Sequence, residues 1–231
     1  LFSDSESSIA ICEYLYSFSK SREDKIRWLQ CIAQRYSYLN QNDKAAEYYR
    51  QALHICAEND LPAADIVYHL SSSLFAINSN NFALEIIKKY SPSTIDEYWR
   101  ARILLLKADI LGENEEFIEA FANLENVLAN LSVVEDQQSR YRLQAETKKI
   151  RGKIHYYTNE WDNSQDAFKE AETLYLLAKD NNGLAAIYNN MGVLFMFQGD
   201  WSSSESYFLK SLDLEKKNYS LNGISVCYNN L

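Results

Sequence analysis

The sequence predicts an all-α chain organised as an array of antiparallel helix pairs. Three observations carry this expectation. Ile187-Tyr188-Asn189-Asn190-Met191-Gly192 returns forty residues later as Cys227-Tyr228-Asn229-Asn230-Leu231, and an echo at such a period marks a helical repeat. Apolar residues recur at three- and four-residue steps almost throughout, which gathers them on one face of a helix. Only two Pro and six Gly occur in 231 residues, so few positions force a helix to break.

Taken in order, the stretch 4–19 places Ile9, Cys12, Leu15 and Tyr16 on an apolar face and reads as an orphan second helix. Ile26, Leu29, Ile32, Ala33 and Tyr36 then line a first helix. The polar turn Asn40-Gln41-Asn42-Asp43 leads to a second helix lined by Ala45, Ala46, Tyr49, Ala52, Leu53 and Cys56. A short turn between two amphipathic helices makes them pack antiparallel. The pairing recurs as 63–78 with 81–90, where Ser91-Pro92 should end the helix early, and as 96–111 with 116–131. It recurs again as 134–158 with 162–179 and as 184–198 with 202–217. Ser202 and Glu205 have capping-box spacing, which puts the last start at Ser202, and Gly183 and Gly223 are expected in turns between pairs. The chain thus divides into a partial repeat 1–20, full repeats 22–60, 63–92, 96–132, 134–180 and 184–220, and a partial repeat 222–231. Because the last repeat stops mid-helix, a fragment of a larger protein is expected.

A register runs through the array. Small residues sit mid-way along the first helices at Ala33, Ser71, Ala108, Gly152 and Gly192, at steps of 38, 37, 44 and 40. A second small site opens each second helix, at Ala45, Ala83, Ala120, Ser164 and Ser204. Four residues on comes a large apolar knob: Tyr49, Ile87, Leu124, Phe168, Phe208. Small opposite large at fixed offsets is how neighbouring helices interdigitate.

Met191-Gly192, Phe195, Gly199-Asp200-Trp201, Ser204, Phe208 and Ser211-Leu212 form a pattern that resembles the tetratricopeptide repeat. So do Ile32-Ala33, Tyr36, Ala45, Tyr49 and Ala52-Leu53. The period is nearer 40 than 34, as in the branch that includes kinesin light chain and bacterial signalling proteins. Repeat two lacks the Gly-Asp turn, and in repeat four Lys148 and Arg151 stand where apolar residues are expected. The resemblance implies a right-handed superhelical solenoid whose concave wall, lined by the first helices, holds an extended peptide or a partner helix.

On that wall the candidate peptide-binding residues are Lys149, Lys153, Tyr157, Asn189, Asn190, Phe197, Asn229 and Asn230. Asn190 and Asn230 match the first-helix Asn with which longer-repeat relatives bond a peptide's main chain. A carboxamide both donates and accepts, so it can bond one peptide unit twice. Their repeat spacing sets them on adjacent rungs, with Asn189 and Asn229 as weaker companions. The alternative is that these Asn join neighbouring helices. Lys149 and Lys153 with Asn190 partly resemble a carboxylate clamp and suggest an acidic-peptide preference, although Val226 and Asn230 occupy places where the clamp needs further bases. The competing reading is a solvated basic face of Arg140, Arg142, Lys148, Lys149, Arg151 and Lys153. Tyr156, Tyr157, Met196 and Phe197 are either ligand anchors or core. The acidic run Asp109, Glu113, Glu115, Glu116 and Glu119 reads as solubilising charge.

The net charge of -9 disfavours nucleic acid and anionic membranes as partners. His54, His69 and His155 show no metal-ligand spacing, with no phosphate loop or nucleophile elbow, so neither an enzyme nor a cofactor is expected. His155 reads as an inward core residue. Cys12, Cys31, Cys56 and Cys227 lie apart in apolar stretches and read as buried free thiols, which fits a reducing, cytoplasmic setting. The reading that follows is a protein–protein interaction scaffold, with a sensory or regulatory arm of a multidomain signalling protein (kinase, cyclase or transcription regulator) as the alternative. Bare end helices also permit self-association.

Overall fold

The computed structural model describes residues 2–59, 61–90, 96–218 and 220–231. The expected stop at Ser91-Pro92 lies outside the described residues. Among the described residues there are twelve α-helices, one short 3-10 turn and no strand. The fold is all-α, a tetratricopeptide-like stacking of antiparallel helix pairs.

The chain forms two compact units, Leu1–Leu106 and Lys107–Leu231. In the first, α1 (Phe2–Phe18) packs on α2 (Arg22–Tyr38), which pairs with α3 (Asn42–Glu58). Helix α4 (Ala64–Ala76) lies against α3 and pairs with α5 (Asn80–Lys89), and α6 (Glu97–Glu113) begins in this unit and ends in the next. In the second unit, α7 (Phe117–Asn130) leads to α8 (Gln137–Tyr157), paired with α9 (Trp161–Leu177). Helix α10 (Asn181–Phe197) lies against both α8 and α9, pairs with α11 (Trp201–Lys217), and is followed by α12 (Leu221–Asn230) on α11.

The register of small and large residues forms the interior. All ten small residues named above are buried, and so are Tyr49, Ile87, Leu124, Phe168 and Phe208. The last two pairs show the interlock atom by atom. A methyl placed on Gly152 would meet the Phe168 ring at 2.4 Å, and one on Gly192 would meet Phe208 at 2.5 Å. Ser164 Oγ donates to the Gly152 carbonyl at 2.8 Å, and Ser204 Oγ repeats this with Gly192 at 2.9 Å. The ring therefore lies on bare backbone, while the serine satisfies a carbonyl that the ring hides from water.

The turns within pairs repeat as well. Asn40, Asn78, Glu115, Asn159 and Gly199 all have positive φ. Each ends its first helix with the same two backbone bonds, for example Asn40 N–H to Ser37 O at 3.0 Å and Gln41 N–H to Tyr36 O at 2.9 Å. This Schellman closure satisfies carbonyls that a helix end leaves open. Asn takes Gly's place readily because it tolerates the left-handed region.

Two sequence expectations are corrected. Helix α11 starts at Trp201 with Asp200 as its cap, whose side chain accepts from Ser203 N–H at 3.1 Å. Ser202 is therefore already inside the first turn. Gly183 and Gly223 lie within the first turns of α10 and α12, not between pairs. Gly183 is needed for close approach, since a methyl there would meet the buried Tyr175 ring at 2.2 Å, whereas one on Gly223 would meet the Glu215 carboxyl at 2.1 Å, the end of a flexible side chain that can swing aside.

Candidate functional site

In the second unit the sequence-derived site residues sit on α8, α10 and α12, and the structure sorts them into three kinds.

The two lysines are already matched by carboxylates. Lys153 Nζ lies 2.5 Å from Asp109 Oδ1 and 3.3 Å from Glu113 Oε1. Burial alone would push this ammonium down, but Asp109, with Tyr157 and Glu113 adding to it, outweighs burial and holds it above the usual lysine range. Lys149 Nζ lies 2.6 Å from Glu146 Oε1 and its side chain is only 17% exposed. Glu146 is fixed from its other oxygen by the Tyr175 hydroxyl, which donates at 2.5 Å. Asp109 and Glu113, expected to act as solubilising charge, are instead the partners of Lys153. Arg140 donates to the Val134 carbonyl at 3.0 Å and to the Gln137 carboxamide oxygen, and the other three members of the expected basic face meet carboxylates. Arg142 pairs with Asp180 at 2.7 Å, Lys148 with Glu170 at 2.5 Å and Arg151 with Glu125. A solvated basic stripe is not what the fold presents.

The asparagines divide. Asn230 Nδ2 donates to Asn189 Oδ1 at 2.8 Å. The residue equivalent to Asn190 one repeat on thus meets its neighbour Asn189, because stacked helices are offset and the nearest side chain is one position away. For Asn189 and Asn230, a bond between neighbouring helices is therefore present. The Asn190 side chain is half-buried and makes no hydrogen bond among the described residues, while Asn229 is exposed. The Asn190 carboxamide therefore keeps both its donor and its acceptor open on this wall.

The aromatic residues form one cluster at the ends of α8 and α10. Tyr156 lies edge-on to Tyr157 at 5.7 Å, to Trp161 at 5.7 Å and to Phe197 at 5.4 Å, and Trp161 stacks with Phe197 at 6.4 Å. Half-buried Tyr156 joins the group, whereas Tyr157 is 38% exposed and Phe197 60% exposed. Burial pushes the Tyr157 hydroxyl above its ordinary value, opposed in part by Lys153. Both phenols stay neutral in the physiological range, so the cluster offers apolar edges with two hydroxyls.

Sequence reasoning missed Glu146 and Trp161. Glu146 stands three residues before Lys149, an ordinary helix-surface spacing, and its second partner Tyr175 is 29 residues away. Trp161 carried a usable signal, since Trp201 stands forty residues later. His155 is half-buried, with Nδ1 3.0 Å from Glu160 Oε2 and its ring 5.6 Å from Phe121. Among the described residues, no group of three or more His, Cys, Asp or Glu could hold a metal ion. None of the described helices is long and apolar enough to cross a membrane.

In the first unit, a hollow of about 280 Å³ is lined by Gln34, Ser37, Asn42, Tyr49, His69, Ser72, Ser73 and Ala76. Burial, and then the Arg102 charge, push His69 below its ordinary value. Neutral hydroxyl, carboxamide and imidazole groups face this space.

No family model and no curated protein matches the sequence. Solved structures do. NprR in complex with its cognate peptide NprX matches with a TM-score of 0.71 and 17% identity, over 97% of this chain and 64% of that one. The apo form of the quorum sensor NprR from B. thuringiensis matches with a TM-score of 0.62 and 14% identity, over 97% and 62%. BtubC from P. vanneervenii matches with a TM-score of 0.57 and 16% identity, over 95% and 91%. The chain therefore spans less than two thirds of the NprR chains it matches. At these identities the shared property is the fold, and this chain has the tetratricopeptide-like helical architecture of those proteins.

Proposed function

We propose that the chain is a protein–protein interaction scaffold that holds a peptide or partner helix on the first-helix wall of residues 107–231. The observation that carries this is Asn190, a half-buried carboxamide with no hydrogen-bond partner among the described residues. It lies two helical turns before Phe197, whose ring is mostly exposed. A main-chain peptide unit would satisfy Asn190, and the aromatic cluster would receive an apolar side chain. Similarity in fold to NprR, solved with a peptide bound, supports the same reading.

The lysines play a different part from the one a carboxylate clamp would require. Lys149 and Lys153 are held by Glu146, Asp109 and Glu113, so a ligand carboxylate would have to displace them. The ligand best suited to this wall is recognised through its backbone and an apolar side chain. The proposed role includes no catalytic step.

The test is direct. A peptide selected from a random-sequence display library against the whole chain should bind Asn190→Ala about 5- to 100-fold more weakly, the worth of one or two lost hydrogen bonds in a desolvated site. Helical circular dichroism and Tm should be unchanged. A fall in Tm that parallels the loss of binding would sink the assignment. Amidating the peptide's C-terminus should change little, whereas a large loss would restore the clamp.

A second reading, a regulatory arm of a multidomain signalling protein, is supported by the match to the quorum sensor NprR over only part of that protein's length. It predicts that the selected peptide changes the radius of gyration in X-ray scattering. An identical scattering curve with and without peptide would count against it.

A further inference from the structure

Cys12 and Cys31, 19 residues apart in sequence, meet between α1 and α2 with Sγ atoms 2.9 Å apart. Both are thiols, as are Cys56 and Cys227. Cys12 is buried with Ile9 and Ile32, and half-buried Cys31 packs against that cluster, as Trp28 and Tyr36 do. The other two cysteines are placed differently. Cys227 Sγ is bonded to Ser211 Oγ at 3.3 Å in the interior, and Cys56 is buried in α3. The four thiols therefore comprise one facing pair and two inert ones, a division that spacing along the chain does not reveal.

We propose that Cys12 and Cys31 are a disulfide-forming modification site that fastens α1 to α2 under oxidising conditions. The geometry needs only a small change, since a disulfide closes to about 2.05 Å and the facing sulfurs start within hydrogen-bond reach. The order of attack follows from access. Burial, and then the adjacent Cys31 thiol, push Cys12 well above the ordinary thiol range, so Cys12 is the poorer first nucleophile. Cys31, the more accessible of the two, reacts first.

The oxidant class is a low-molecular-weight disulfide. The Cys31 thiolate attacks one of its sulfurs, forming a mixed disulfide and releasing one small thiolate. Cys12 gives up its proton to solvent or to the departing thiolate and attacks the Cys31 sulfur, expelling the second small thiolate. The protein loses two protons and two electrons, and the small disulfide takes them up to become two thiols.

Closing this bridge acts on α1 as a whole. That helix is held by the Ile9–Cys12–Ile32 cluster and by Tyr48, whose hydroxyl donates to Glu13 at 3.1 Å. Its outer face leaves Ile11, Tyr14 and Phe18 exposed. A covalent tie at Cys12 removes the states in which α1 lifts off.

The whole reduced chain should be incubated with oxidised glutathione at mildly alkaline pH and read by intact mass and peptide mapping. The expected product has lost two hydrogens, carries no glutathione, and joins the peptide containing Cys12 to that containing Cys31. The Cys12→Ser chain should stop at a glutathione adduct on Cys31, and the Cys56→Ser/Cys227→Ser chain should still close. Amide exchange in α1 should slow by about tenfold or more on oxidation and recover with dithiothreitol. A persistent glutathione adduct on wild-type Cys31, four free thiols after treatment, or a bridge through Cys56 or Cys227 would each overturn the proposal.

Discussion

At the turn between α6 and α7, Glu115 holds φ at 65°, where the equivalent turns place Asn40, Asn78, Asn159 and Gly199. A left-handed conformation costs an ordinary L-residue about 1–2 kcal/mol, and Asn or Gly much less. Glu115→Gly should therefore stabilise the chain by about 0.5–1 kcal/mol net of the added freedom of the unfolded state. That corresponds to a rise in Tm of about 1–4 °C in scanning calorimetry for a chain of this size. An unchanged or lower Tm would show that Glu115 has a compensating partner. The same scale separates Asn190 from Asn230. The two are identical in type and repeat position, so sequence treats them alike. Stacking offsets one helix on the next, and that offset brings Asn230 onto Asn189 at 2.8 Å. The alanine test accordingly belongs to Asn190, since Asn230→Ala would also orphan Asn189.

Helix starts and helix contacts form the next level. Helix α11 takes its N-terminal bond from Asp200, which accepts from the Ser203 N–H, and Ser203 Oγ donates to the same carboxylate at 2.6 Å. Asp200→Ala should cost about 0.5–2 kcal/mol, as cap removal does, whereas Ser202→Ala should be close to neutral. Chemical denaturation of both variants checks this, and a Ser202 effect equal to that of Asp200 would reinstate the capping box. Sequence spacing misplaced this start because Ser-x-x-Glu and Gly-Asp both suit a helix N-terminus, and only the backbone path chooses. In contrast, the Gly192–Phe208 and Gly152–Phe168 locks were visible beforehand, because small and large residues recur at fixed offsets. The sequence around Gly183 points to the wrong local setting. A glycine at a helix start looks like a turn until the Tyr175 ring is seen above it.

Across the molecule, tyrosines link burial to pH. Tyr48 and Tyr188 are pushed up to about 12 by burial, with hydrogen bonds to Glu13 and Glu172 adding to it. Burial also raises Tyr49, Tyr156, Tyr157 and Tyr207. A phenol raised in the folded state favours folding only while protonated. Its contribution is full below the unfolded value of about 10 and is lost as pH rises toward about 12. Tyrosinate absorbance should therefore lag behind free tyrosine and appear together with loss of helical circular dichroism across that window. Titration near pH 10 with helix content intact would contradict it. Helix pairs, their register and their knobs were legible in the chain because they depend on local periodicity, which a linear sequence records directly. The charge state of the wall was not, because Lys153 meets Asp109 and Arg142 meets Asp180 across 44 and 38 residues. Acidic and basic residues on helix surfaces look alike until stacking selects which of them touch. The same holds for Cys12 and Cys31, whose sulfurs face each other only because α1 packs on α2 at one rotation and depth. Periodicity therefore specifies which face of each helix is buried, and the packing of one helix on the next specifies which polar groups remain open to a ligand.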